Sequence, residues 1–263
     1  MATLPINGVD LAYDEAGAGE PLLLIHAGIV DRRMWDDVLP ALAARFRVIR
    51  PDLRGYGDTP LPSGEFVYGA DLVALLEALG VARASMVGAS MGGHVALDVA
   101  IAHPEVVERL VVVAPGIDGW EHSAGMRAAW AREETAWGSR DLDEVAWVNV
   151  RTWLDGPSRG PDALPAALRQ RVFEMQRRAL DHENDDARGG WLTDSRRARL
   201  GEVRAPTLVA VGELDQPDFG EIARVLAAEI PGARFVELPG VAHLPPMEDP
   251  EAFTRLVVDF LRS

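Results

Sequence analysis

Residues 85–97, Ser-Met-Val-Gly-Ala-Ser-Met-Gly-Gly-His-Val-Ala-Leu, restrict what this chain can fold into more than any other stretch. A short apolar run pinches through small residues at Gly88, Ser90 and Gly92, then continues with helical periodicity. Gly88-Ala89-Ser90-Met91-Gly92 has the G-x-S-x-G form in which a serine sits on a sharp strand-to-helix turn. Such a turn holds its central residue at unfavourable backbone angles, and glycines on both sides keep side chains clear of the folded-back chain. The hydroxyl then stands above the sheet at the positive end of a helix. Small residues also cluster in ordinary loops, so the pattern takes its weight from the rest of the chain.

Strand and helix signals alternate on both sides of it. The run Pro21-Leu22-Leu23-Leu24-Ile25 suits a buried parallel strand, and residues 35–44 read as a helix with Trp35, Val38, Leu39 and Leu42 on one face. A strand at 47–50, a helix at 68–79, the serine strand and its helix, and a strand at 109–114 follow with short links. Residues 8–15 alternate polar and apolar, as an exposed edge strand would. After Pro115 the rhythm stops: residues 116–204 show helical patches, no buried strand, and six tryptophans, Trp120, Trp130, Trp137, Trp147, Trp153 and Trp191. It resumes with a strand at 205–212, a helix at 220–230, a strand at 234–238 and a last helix, with Asp249 as N-cap and Pro250 in its first turn. The expected architecture is an α/β fold with a doubly wound, mostly parallel eight-stranded sheet. Residues 1–115 and 205–263 form the core, and 116–204 are an inserted helical cap.

The chain has 263 residues, no cysteine and no lysine; all 26 basic side chains are arginine, against 41 acidic ones, for a net charge of −15. That composition removes thiolate nucleophiles, cysteine metal sites and disulfides, and with them Schiff-base and P-loop lysine chemistry. So negative a surface repels nucleic acid and anionic lipid. No apolar run is long enough for a bilayer, and the first residues lack the basic start and apolar core of a signal peptide, so a cytoplasmic location is expected. No metal or organic cofactor is called for.

A serine nucleophile needs a base, and the base an orienting acid. In open α/β sheets functional groups gather beyond the carboxyl ends of strands, which selects Asp215 in Gly212-Glu213-Leu214-Asp215 and His243 in Val241-Ala242-His243-Leu244. Asp118 and Asp218 are rivals for the acid. These pieces, with Leu24-Ile25-His26-Ala27-Gly28, Asp52-Leu53-Arg54-Gly55-Tyr56-Gly57 and His243-Leu244-Pro245-Pro246-Met247-Glu248, resemble the α/β-hydrolase superfamily, specifically its small capped serine esterases and lactonases. The resemblance implies a Ser90–Asp215–His243 triad and an oxyanion hole from the N–H groups of Gly28 and Met91. Family members usually carry His-Gly where this chain has His26-Ala27, a change that matters if position 27 needs a positive φ.

The expected reaction is hydrolysis of a small or medium carboxylic ester or lactone through an acyl-enzyme on Ser90. The substrate is expected to be neutral, because the net charge repels anions; a clamp by Arg127 or Arg151 is the rival view. Carbon–carbon bond hydrolysis, and acyl transfer to acceptors such as peroxide, use the same triad, and a hydrolase-like ligand receptor is a third reading. His26 is expected to hydrogen-bond backbone under the oxyanion loop. The run Asp181-His182-Glu183-Asn184-Asp185-Asp186 is expected to be a solvated acidic loop. The sequence leaves a homo-oligomer open.

Overall fold

The computed structural model describes residues 1–160 and 162–263. Its ten strands are β1 (Ala2–Ile6), β2 (Val9–Ala16), β3 (Pro21–Ile25), β4 (Arg47–Pro51), β5 (Gly64–Val67), β6 (Ala84–Ala89), β7 (Val107–Val113), β8 (Ala187–Gly190), β9 (Thr207–Gly212) and β10 (Arg234–Leu238). Eight of them form one sheet in the order β1-β2-β4-β3-β6-β7-β9-β10, parallel from β4 to β10. Only β1 with β2 and β2 with β4 pair antiparallel.

Side chains of successive strand residues point to opposite faces, and here each face has its own core. Leu22 and Leu24 of β3, Val111 and Val113 of β7, and Leu208 and Ala210 of β9 pack on one side, against Trp35, Phe253, Val257 and Phe260. Leu23 and Ile25, Leu110 and Val112, and Val209 and Val211 face the other side. There they meet Leu72 and Leu75 of α2 (Tyr68–Ala78), after the short α1 (Leu39–Ala43), and Val95 and Val99 of α3 (Met91–Ala102). This two-sided burial is why the strands read as continuous apolar runs.

Two local expectations are corrected. Residues 35–44 are not one helix: a 3₁₀ turn at Arg32–Trp35 is capped by Asp31, and α1 starts only at Leu39, with Pro40 in its first turn. Proline has no N–H to bond back into a preceding turn, so it begins a helix instead of continuing one; Trp35, Val38 and Leu42 are buried nonetheless. Residues 8–15 are not an edge. Asn7 and Gly8 both have positive φ, 47° and 82°, the Asn-Gly geometry that closes a two-residue hairpin, so β1 folds back and takes the edge while β2 is paired on both sides.

Between β7 and β9 the chain forms α4 (Ala124–Ser139), α5 (Leu142–Asn149), a π-helical turn at Val150–Asp155 and α6 (Ala166–Leu180). The short β8 then pairs in parallel with β5, and neither strand is fully buried. The chain closes with α7 (Pro217–Glu229), α8 (Pro245–Glu248) and α9 (Pro250–Leu261), where the Asp249 side chain accepts from Ala252 N–H. No helix among the described residues is long and apolar enough to cross a membrane.

Candidate active site

Strand register brings the candidate residues to one edge of the sheet. Ile25 is level with Gly88, Ala89 with Val113, Val113 with Ala210, and Gly212 with Leu238. The loops holding Gly28, Ser90, Asp215 and His243 therefore all leave the same carboxyl edge.

Ser90 sits at φ 51°, ψ −116° between β6 and α3, a strained conformation for a residue with a Cβ, costing on the order of 1–3 kcal/mol. Its N–H donates to Val113 O at 2.7 Å, and its carbonyl accepts from His94 N–H at 3.0 Å. A Cβ at Gly88 would collide with the Gly92 carbonyl, and one at Gly92 with the Ile25 and His26 carbonyls. Both glycines are thus required by backbone packed on backbone.

Asp215 and His243 are both buried. His243 Nδ1 lies 2.8 Å from Asp215 Oδ2 and 3.0 Å from Oδ1, so the ring donates from Nδ1 and leaves Nε2 as the basic nitrogen. Both hydrogen bonds of the ring go to Asp215, and none joins it to Ser90 Oγ. Trp153, from the π-helical turn, lies against the imidazole with centroids 4.6 Å apart, and Phe219 meets it edge-on at 4.7 Å. Glu248 fixes the loop itself: its carboxylate accepts from Ala242 N–H at 2.8 Å and Leu244 N–H at 3.0 Å, on either side of His243. Burial raises the pKa of Glu248, against those hydrogen bonds and the Arg159 charge. Arg159 also donates to the carbonyls of Leu154 and Asp155, tying the Trp153 turn to the His243 loop. Sequence reasoning missed the roles of Trp153 and Glu248, although Glu248 stood inside a quoted motif.

A Cβ built on Gly28 would lie 3.5 Å from Met91 Cβ, so the two expected oxyanion residues are neighbours. Neither of their N–H groups is hydrogen-bonded within the protein among the described residues. Ala27 is not among the positive-φ residues, so alanine brings no left-handed backbone strain there. His26 is fully buried below: its Nε2 accepts from Leu53 N–H at 3.0 Å and its Nδ1 bonds Ala27 O at 2.8 Å, with burial holding its pKa low.

The rival acids are engaged elsewhere. Asp118 faces Arg196 at 3.3 Å. Asp218 accepts from Ser123 N–H and Oγ–H at 2.7 and 2.6 Å, pinning the start of α4; those bonds and His122 hold its pKa low against the upward effect of burial. His94 stacks on Trp191, and its Nε2 accepts from Arg196 Nε at 2.7 Å. Burial, then the Arg196 charge, pushes its pKa down to about 4, against the opposing pull of Asp118. Within the acidic run, His182 bonds Gly57 O and Asn184 donates to Leu61 O, docking this segment on the loop after β4.

The two arginines of the rival clamp are both engaged by other groups. Arg127 is bonded to His122 O, and Arg151 pairs with Glu144 on a separate groove. The tryptophans mostly pack: Trp147 on Phe173, Trp191 on His94, and Trp130 against His122. Beside the oxyanion loop is a cavity of about 380 Å³ whose wall includes Gly28, Tyr56, Trp137 and the polar side chains of Glu133, Gln176 and Glu183. Of the six tryptophans, Trp137 is the one among the described residues that lines it.

Fold and site edge define a hydrolase of the α/β type. The chain belongs to the α/β-hydrolase fold family, whose pattern it matches over residues 20–250. It is 29% identical over 97% of its length to a 2-hydroxymuconate semialdehyde hydrolase from a Pseudomonas species, covering 91% of that protein. It is also 29% identical over 96% of its length to a pimeloyl-[acyl-carrier protein] methyl ester esterase of Yersinia enterocolitica, covering 98% of that protein. Among solved structures, the enol-lactonase of Burkholderia xenovorans superposes with a TM-score of 0.82 at 26% identity, covering 99% of this chain and 100% of that one.

Proposed function

We propose that the protein is a serine hydrolase that opens a carboxylic ester or lactone through an acyl-enzyme on Ser90. The observation that carries this reading is the strained Ser90 at the tip of β6, on the same sheet edge as the bonded Asp215–His243 pair. His243 Nε2 takes the Ser90 proton as Oγ attacks the carbonyl carbon, and Asp215 holds the tautomer and stabilises the imidazolium. The free N–H groups of Gly28 and Met91 receive the developing oxyanion. His243 then protonates the departing alcohol and activates the water that releases the acid. Residues 116–204 serve as the cap, and Trp153 reaches from it to the base. No metal or organic cofactor takes part.

The semialdehyde hydrolase relative favours a second reading, carbon–carbon bond cleavage by the same triad. That relative's substrate is, by name, a carboxylate. The cavity here presents Glu133 and Glu183, and its one arginine, Arg54, is taken up by Asp71. This supports the ester or lactone. A panel of esters, lactones and vinylogous diketones with product analysis by mass spectrometry tests the assignment. The expected result is alcohol and acid from esters and hydroxy acid from lactones; turnover of diketones alone would favour the second reading.

A further inference from the structure

Tyr56, in the loop after β4, stands where the cavity meets the oxyanion loop. It is partly buried and lines the cavity. Its Oη lies 3.6 Å from the position a Cβ on Gly28 would take, and 3.7 Å from Met91 Sδ. The hydroxyl thus reaches both residues whose N–H groups are free for an oxyanion. The Met91 thioether is the one acceptor it has among the described residues. A thioether accepts weakly, so this O–H gains by turning to an oxygen that enters the cavity. Burial raises the pKa of Tyr56, which keeps the proton in place.

Two more donors line the same cavity. Gln176 of α6 is 6% exposed; its Nε2 has no hydrogen-bond partner among the described residues and, unlike its Oε1, is not buried. The Oη of Tyr68 is likewise unbonded and not buried. Burial of the rest of that side chain, and then the charge of Glu183, push its pKa up to about 12, so it too keeps its proton. An alkyl chain filling the cavity would strip water from these donors and leave them unmatched. An oxygen acceptor matches them. Glu133 and Glu183 in the wall repel an anionic acceptor, and Arg54 is held by both Asp71 oxygens at 2.5 and 3.0 Å. The acceptor that fits is a neutral one.

Resting on the ester or lactone reading above, we infer that Tyr56 O–H, with Gln176 N–H₂ and Tyr68 O–H as further donors, forms a subsite for a neutral oxygen acceptor on the substrate. The acceptor is a ketone, amide or ether oxygen carried a few atoms from the scissile carbonyl. The substrate class is thereby an oxygenated ester or lactone, not one with a plain alkyl chain. Because Tyr56 Oη abuts Gly28, the second oxygen lies within a short chain's reach of the carbonyl held at the oxyanion position.

The test takes methyl hexanoate and hexyl acetate and replaces one chain methylene at a time by an ether oxygen or a carbonyl, with a terminal carboxylate as the charged control. Each kcat/KM is divided by the rate constant for hydroxide hydrolysis of the same ester, which removes the intrinsic activation by a nearby oxygen. In one series an oxygen isostere should exceed its all-methylene parent by about tenfold, with the carboxylate last. Tyr56→Phe keeps the ring and deletes the donor, so it should lower that ratio severalfold. Adding Tyr68→Phe and Gln176→Met should bring it toward one. Ratios are read on variants whose circular dichroism matches the parent protein, and Tyr56→Phe alone decides if the triple variant does not fold. Calorimetric binding of the same esters to Ser90→Ala should give the same order without turnover. That order, with no ester hydrolysed by the parent protein, would support the subsite and overturn the esterase reading, so the two failures are told apart. An oxygen isostere no better than its parent in both series, a preference for the carboxylate, or a ratio unchanged in Tyr56→Phe would overturn the inference.

Discussion

The indole of Trp153 lies against the imidazole of His243 with ring centroids 4.6 Å apart, while its Nε1–H donates to Asn149 Oδ1 at 3.1 Å. The hydrogen bond fixes the indole, and the indole fixes the plane of the base. An aromatic face also favours the imidazolium over the neutral ring, by about 0.5–2 kcal/mol. Trp153→Ala should therefore lower kcat on the order of tenfold with little change in KM, and Trp153→Phe should recover most of it. Steady-state kinetics on a short neutral ester decides the matter; an unchanged kcat in Trp153→Ala would mean that the contact is packing alone.

Asp215 and Asp118 both follow strand ends, but only Asp215 bonds His243, and Asp118 is paired with Arg196. Asp215→Asn keeps the shape and presents the wrong tautomer, so kcat should drop by about 10⁴. Asp118→Asn should change kcat less than tenfold, and its thermal midpoint should move instead. The reverse ordering would relocate the acid to the loop after β7.

Folding stability should fall in mild acid, in part through His94. Its folded pKa is about 4 against an ordinary 6.5, so between those values the unfolded chain binds more protons and stability drops as pH falls. Protonation would also break the acceptor role of Nε2 toward Arg196 Nε. Urea denaturation at pH 7 and pH 4.5 should show the parent protein losing about 2 kcal/mol more than His94→Gln. Buried His26 shifts in the same direction but is present in both proteins, so the difference isolates His94. Equal losses would contradict the assignment.

Much of the sheet edge was legible in the chain because its signals are local. Leu22–Ile25 of β3, Leu110–Val113 of β7 and Leu208–Val211 of β9 are apolar at every position because both faces are covered, and Gly88 and Gly92 mark a turn where no Cβ fits. The Asn7-Gly8 turn was equally local, yet β1 is short and carries Pro5, so the edge was placed one strand too late. The cavity was not legible, since Gly28, Arg54, Glu133, Gln176 and Glu183 come from separate segments that meet only through helix packing. Trp153 was hidden for another reason: a π-helical turn breaks the 3.6-residue period that would have told which way the side chain points.

The central claim is that Ser90 is the nucleophile, and covalent labelling tests it most directly. Incubated with a fluorophosphonate probe, the protein should gain one probe mass, and peptide mapping should place it on Ser90. Ser90→Ala should gain none, remain folded by circular dichroism, and lose ester hydrolysis by roughly 10⁶-fold in kcat. A probe found on another residue, or ester hydrolysis undiminished in Ser90→Ala, would contradict the account.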